Sequence, residues 1–163
     1  MPLGSLPQPE GIIVHKQRPS PRPGLSLNVW RVNVLLVEDD AADSELIQRA
    51  LKRHPDIGTV TVHSSPIDAL DQLHVPAYRP TLILLDIHMP KIDGFQFLEL
   101  MREIPEMADV PVVFLTTSRS VRDVEGARGS TACGYLIKPD RYEELEAALH
   151  NLLKQAVAGK GRK

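Results

Sequence analysis

From Val32 onward, short β-branched runs alternate with longer amphipathic segments. This alternation predicts a parallel sheet covered by helices on both faces. Five strands are expected, at Asn33 to Val37, Thr59 to His63, Leu82 to Leu85, Val112 to Leu115 and Tyr135 to Ile137. The first, third and fourth are nearly unbroken apolar runs, which is what strands buried on both faces require. Between them, Ser44 to Arg53 reads as a helix with Leu46, Ile47, Ala50 and Leu51 on one stripe, closed by Pro55. Ser65-Pro66 reads as an N-cap with proline at the first helical position, opening a helix through Leu73. A third helix is expected over Phe95 to Ile104, after Gly94. The last helix shows capping-box spacing at Asp140 and Glu143, with Leu145, Leu149 and Leu152 at helical intervals until Gly159. Ser120 to Thr131 is a poorer pattern, because Gly126 and Gly129 weaken any helix there, so a short or mobile fourth helix is expected.

The class is therefore α/β, with a doubly wound, five-stranded parallel sheet. With 163 residues, 18.1 kDa and 42% hydrophobic positions, one core is the default. The expected division is a flexible arm over residues 1–30, a folded unit over 31–157 and a tail over 158–163. The arm holds Pro2, Pro7, Pro9, Pro19, Pro21 and Pro23, which break helices and central strands. The net charge of −2 is spread along the chain with no basic stripe, so DNA is not an expected partner. The longest apolar stretches fall far short of the roughly 18 residues of a membrane span. The single cysteine, Cys133, can form no internal disulfide and reads as a packed thiol, so a reducing cytoplasm is the expected location.

In an open doubly wound sheet, ligands bind outside the carboxyl ends of the strands. The first strand ends in Glu38-Asp39-Asp40 and the third in Asp86, so three or four carboxylates should converge there. Such crowding demands a cation or a proton. A hard divalent ion answers it, and magnesium suits a site offering few carboxylates, a backbone carbonyl and waters. The fourth strand ends at Thr116 and the fifth at Lys138-Pro139, adding a hydroxyl and an ammonium.

At these positions the chain resembles the response-regulator receiver family over nearly all of residues 32 to 156. The matching stretches are Val-Asn-Val-Leu-Leu-Val-Glu-Asp-Asp at 32–40, Leu-Ile-Leu-Leu-Asp-Ile-His-Met-Pro-Lys-Ile-Asp-Gly at 82–94, Val-Pro-Val-Val-Phe-Leu-Thr-Thr at 110–117 and Gly-Tyr-Leu-Ile-Lys-Pro at 134–139. The resemblance implies a flavodoxin-like strand order 2-1-3-4-5 and makes Asp86 the phosphoryl acceptor. It makes Asp39 a direct magnesium ligand, Glu38 a ligand through water and the His88 backbone carbonyl a third protein ligand. Lys138 and Thr116 would bind phosphoryl oxygens, and Tyr135 would be the aromatic switch residue, turning from outside to inside as Thr116 is drawn toward the phosphoryl group. The implied partners are a sensor histidine kinase and a downstream protein or phosphotransfer protein. The Glu-Asp-Asp-Ala-Ala-Asp-Ser-Glu start and Leu-Thr-Thr-Ser at 115–118 also resemble single-domain regulators that partner phytochrome-type kinases.

Departures from the family pattern fall at His88 and Ser118, which flank the access route of a hydrolytic water, and at Thr131, where glycine is usual. Asp140 either caps the last helix or competes for Lys138. After Lys138-Pro139 there is room for one helix and a tail, so output is expected through protein binding. Tyr142, Leu145, Leu149, Leu152 and Leu153 span an arc wider than one sheet edge needs, which predicts exposed leucines and a homodimer. Two other classes stay open. One is a receiver-like scaffold without phosphorylation. The other is a small phosphatase using Asp86 as nucleophile, although that chemistry wants an acid where His88 stands. No glycine-rich loop follows the first strand, so nucleotide binding is disfavoured.

Overall fold

The structure, a computed structural model, describes residues 31–158. The arm expected over residues 1–30 and the tail beyond residue 158 lie outside the described residues. Strands and helices alternate: β1 (Val32–Val37), α1 (Ala41–Lys52), β2 (Ile57–His63), α2 (Pro66–Leu73), β3 (Leu82–Leu85), α3 (Gly94–Arg102), a 3₁₀ turn (Pro105–Met107), β4 (Val112–Thr116), α4 (Val121–Gly129), β5 (Gly134–Ile137) and α5 (Tyr142–Ala158). All strand pairs are parallel, in the order β2-β1-β3-β4-β5. This is the expected doubly wound fold.

Alternation along the central strands divides the core into two. Leu35, Val37, Ile83, Leu85, Val112 and Phe114 face α2, α3 and α4, where Phe97 and Met101 complete the packing. Val34, Leu36, Leu82, Leu84, Val113 and Leu115 face α1 and α5. Burial of β1, β3 and β4 on both faces explains their apolar runs, whereas β2 at the sheet edge is only partly covered.

Several expectations need correction. Helix α1 begins three residues earlier than Ser44, because the Asp40 side chain caps it by accepting from the Asp43 N–H at 2.8 Å. Its buried face is Ser44, Ile47, Ala50 and Leu51, while Leu46 is exposed. The first backbone bond of α5 runs from the Leu145 N–H to the Arg141 carbonyl, which puts the cap at Arg141 rather than Asp140. The apolar arc of α5 is not exposed either. Leu145, Leu149, Leu152 and Leu153 are all buried, and the Tyr142 ring lies under the Arg49 guanidinium at 5.1 Å. The arc is wide because α5 packs against both the sheet and α1, so the leucines supply no surface for a second copy.

Helix α4 is short, as expected, and Gly126 has a packing reason. A Cβ there would sit 2.9 Å from the Phe95 ring, so glycine lets α4 lie flat on α3's first turn. The turn after α4 closes around Thr131 through Arg102, whose Nε and one terminal nitrogen donate to the Thr131 Oγ1 and carbonyl at 3.1 Å each. The Ser130 Oγ completes it, donating to the Ala127 carbonyl and accepting from the Ala132 N–H. Cys133 is buried, consistent with a packed thiol.

Candidate functional site

The strand order sets Glu38 and Asp39, after β1, beside Asp86, after β3. Lys138 follows β5 at the same edge. The parallel ladder continues past the strand ends and fixes these residues. The Glu38 N–H bonds the His63 carbonyl at 3.1 Å, Asp86 bonds Val37 at 3.0 Å and Lys138 bonds Thr116 at 2.7 Å. A backbone so held aims side chains with little freedom.

Carboxylate oxygens of Glu38, Asp39 and Asp86 lie within 4.8 Å of one another. Glu38 and Asp86 are buried, at 1% and 8% exposure, and Asp39 is exposed. Asp40, the fourth expected carboxylate, is occupied instead in capping α1. Burial pushes the Glu38 carboxyl up to about 7, against the opposing effect of Lys138. Burial likewise raises Asp86, again against Lys138 and against the Ile87 N–H, which donates to Asp86 Oδ1 at 2.8 Å. The other carboxylate oxygen, Oδ2, faces the Lys138 ammonium at 3.9 Å. Two desolvated acids and one accessible acid form an all-oxygen donor set short of positive charge, which fits a hard divalent cation.

The Lys138 ammonium lies among acids of two elements. Its Nζ donates to Glu38 Oε2 at 2.5 Å and to Asp43 Oδ2 at 3.0 Å, so the ammonium rests on acids of β1's end and α1. Burial alone would lower its pKa, but the Glu38 bond, the Asp86 and Glu38 charges and the Asp43 bond together raise it. Asp43 escaped the sequence reading. Its one signal was its place three residues after the capping Asp40, which directs it to the same edge.

The Thr116 hydroxyl is buried and accepts from the Ser118 N–H at 3.1 Å. Tyr135 is already inside, packed with the α2, α3 and α4 core, rather than turned outward. His88 is 65% exposed in its side chain, and its Nε2 meets Asp123 Oδ2 of α4 at 2.7 Å. The Ser118 hydroxyl is the largest influence holding the Asp123 carboxyl below its usual range, with His88 adding to it. The two departures at His88 and Ser118 are thus joined through Asp123, linking the β3–α3 loop to α4.

The β3–α3 loop is tight. Gly94 is required: a Cβ there would lie 2.4 Å from the Asp86 carbonyl, and its N–H closes on the Ile87 carbonyl at 2.7 Å. Lys91 adopts φ 72°, and the Ile92 N–H reaches the Pro90 carbonyl around it at 2.9 Å, a strained three-residue turn beside Asp86.

Comparison with known proteins agrees with this geometry. The model of the response regulator receiver domain matches residues 34–150. The chain belongs to the response regulator receiver family. It is 36% identical over 123 residues to the probable methanogenesis regulatory protein FilR2 of Methanothrix harundinacea, covering 73% of this chain and 79% of that one. It is 36% identical over 123 residues to the response regulator Rcp1 of Synechocystis, covering 69% and 80%. Among solved structures it superposes on the phosphorylated cyanobacterial phytochrome response regulator RcpA with a TM-score of 0.69, 28% identity and coverage of 78% and 94%. It superposes on the Mn(2+)-bound form of Rcp1 with a TM-score of 0.64, 32% identity and coverage of 74% and 91%. Among the described residues, no helix of this receiver is long and apolar enough to cross a membrane.

Proposed function

We propose that this receiver is a stand-alone response regulator that takes a phosphoryl group onto Asp86 from the phosphohistidine of a sensor histidine kinase. The observation that carries this is the setting of Asp86. One carboxylate oxygen is fixed by the Ile87 N–H, and the other faces Lys138 beside Glu38 and Asp39. Asp86 Oδ2 forms the new P–O bond as the donor's P–N bond breaks, and the imidazole keeps the electron pair and takes up a proton. Asp86 is a weak nucleophile, and its use comes from placement in line with the donor. Asp39, Asp86 and the His88 carbonyl would hold magnesium directly, with Glu38 acting through water; that ion supplies positive charge to the transferring oxygens. Lys138 and Thr116 bind phosphoryl oxygens once transfer is complete. Thr116 is already tied to Ser118, and through it to Asp123 and His88, so its movement is felt at α4. Tyr135 starts from the inward position and then secures it.

The receiver unit spans residues 31–157 and works in the cytoplasm. Output is by protein contact, with no DNA and no membrane involved. The contact surface lies beside Tyr135 on α4 and β5, where Val121 is 70% exposed. A downstream protein or a second copy of the chain would dock there, away from the α5 leucines. Similarity to Rcp1 and RcpA supports a phytochrome-type kinase as the donor. Passing the group onward to a phosphotransfer protein is the second reading, supported by the exposed rim of the acceptor site at Asp39 and His88.

The purified chain, given a small-molecule phosphodonor and magnesium, is expected to be labelled once, on Asp86, and Asp86→Asn to lose the label. Unchanged labelling of Asp86→Asn overturns the assignment. Calorimetry should show magnesium binding weakened strongly by Asp39→Asn and little by Lys138→Ala.

A further inference from the structure

Asp43 has no part in the roles assigned so far, yet it is one of the three acids around the Lys138 ammonium. We propose that Asp43 is a positioning residue for phosphoryl capture, holding Lys138 in a resting place and competing for it with the phosphoryl group. This rests on the reading of Asp86 as acceptor.

The Lys138 side chain is 6% exposed, so its stem is confined by packing and only the ammonium end can swing. At rest that end lies 2.5 Å from Glu38, 3.0 Å from Asp43 and 3.9 Å from Asp86. A charge-assisted bond to a phosphoryl oxygen on Asp86 needs about 2.7–2.9 Å, so the ammonium must move toward Asp86 and leave a partner behind. Glu38 and Asp43 are not equivalent as partners. Glu38 belongs to the carboxylate trio, and any cation held there draws on its charge. Asp43 lies outside that trio. Its grip on Lys138 therefore persists when the trio is loaded. Asp43 is also well anchored for this task. Its N–H bonds Asp40 Oδ1 at 2.8 Å, and it sits in the first turn of α1, where the helix dipole favours a negative charge with or without the lysine. Its carboxylate is partly exposed, so it can return to water when the ammonium departs, which the buried Glu38 cannot.

The test is calorimetric titration of the full chain with trifluoroberyllate, a phosphoryl mimic, in excess magnesium. Asp43→Asn, which keeps shape and removes charge, is expected to bind the mimic about two- to fivefold more tightly, the size of one released part-exposed ion pair. Asp43→Glu should return toward wild-type affinity. In a Lys138→Met background the Asn substitution should have no effect, because the coupling runs through the lysine. If Lys138→Met binds too weakly to titrate, the Lys138 ammonium nitrogen resonance decides. Without ligand it should broaden or exchange faster in Asp43→Asn than in wild type, and an unchanged resonance overturns the proposal. An unaltered affinity in Asp43→Asn, or a gain that persists without the lysine, overturns it too. A wild-type chain that fails to bind the mimic would instead remove the acceptor reading on which the proposal stands.

Discussion

Two groups of buried titratable side chains occupy opposite ends of the sheet and are managed in opposite ways. At the carboxyl end, Glu38, Asp86 and Lys138 are buried as an ionic cluster, with Asp43 and Asp39 at its rim. At the amino end, His54 lies between α1 and β2, close to where the Val32 N–H bonds the Asp56 carbonyl. Its ring is buried and packs on His150 of α5 with centroids 4.2 Å apart. His54 Nδ1 accepts from the Asp56 N–H at 3.2 Å, so the proton sits on Nε2, which has no hydrogen-bond partner among the described residues. Burial, then the neighbouring His150, lowers the His54 pKa. One end keeps charge in the interior by supplying close partners, and at the other the Asp56 carboxylate, 3.8 Å from Nδ1, is outweighed by burial. The difference points to where chemistry is to be sought: three acids share one buried ammonium at the carboxyl end, and a neutral ring suffices at the other, where packing is what is needed.

The comparison breaks most sharply at Lys138. Lys138→Met strips the buried acids of their cation and is expected to destabilise the magnesium-free protein by about 3–5 kcal/mol at pH 8. At pH 5 the loss should be much smaller, since a Glu38 carboxyl raised to about 7 is then protonated. Urea unfolding midpoints at the two pH values measure both. Equal losses at pH 5 and pH 8 would show that the lysine acts by packing rather than charge.

A smaller effect is expected in the unaltered chain. Glu38 is raised in the folded state, so the native protein holds more protons than the unfolded one between about 4.5 and about 7. Its contribution is fully present below that window and is lost as pH rises through it, by at most about 3 kcal/mol. Magnesium should flatten the slope, and a magnesium-independent slope would sever the link between these acids and a cation.

The smallest effect belongs to the other end. His54 is lowered on folding, so it costs stability as pH falls from about 6.5 toward its folded value, opposite in sign to Glu38. Replacing the ring in His54→Leu should remove this acid-side loss and change stability at pH 8 by less than about 1.5 kcal/mol. An acid limb unchanged by His54→Leu would assign the loss to other groups.

The five strands and the residues at their ends were legible in the sequence because β1, β3 and β4 are apolar runs and β2 is a β-branched alternation. A carboxylate directly after Leu82–Leu85 has nowhere to go but the sheet edge. Helix starts were less legible: Asp40 looked like one more site acid, and its side-chain bond to the Asp43 N–H shows it as a cap. The direction of Lys138 was not legible at all. It depends on Asp43, 95 residues away, and on which of several acids lies within reach of a confined stem. The α5 leucines misled for a related reason. Amphipathic width reports how much apolar surface a helix has, and the neighbour that covers it, here α1, comes from topology. His88 and Ser118 stood out as unusual residues, but the Asp123 that joins them lies on the weakest helical pattern in the chain.

The bond between Glu38 and Lys138 spans 100 positions of chain. During synthesis the first strand and Asp86 emerge long before the lysine does, and the chain grows at about 5–20 residues per second. For at least several seconds a nascent chain therefore displays the acids without the ammonium that neutralises them. The buried ionic cluster is among the last parts of the domain to be completed, and a chain halted before β5 would carry Glu38, Asp39 and Asp86 without Lys138.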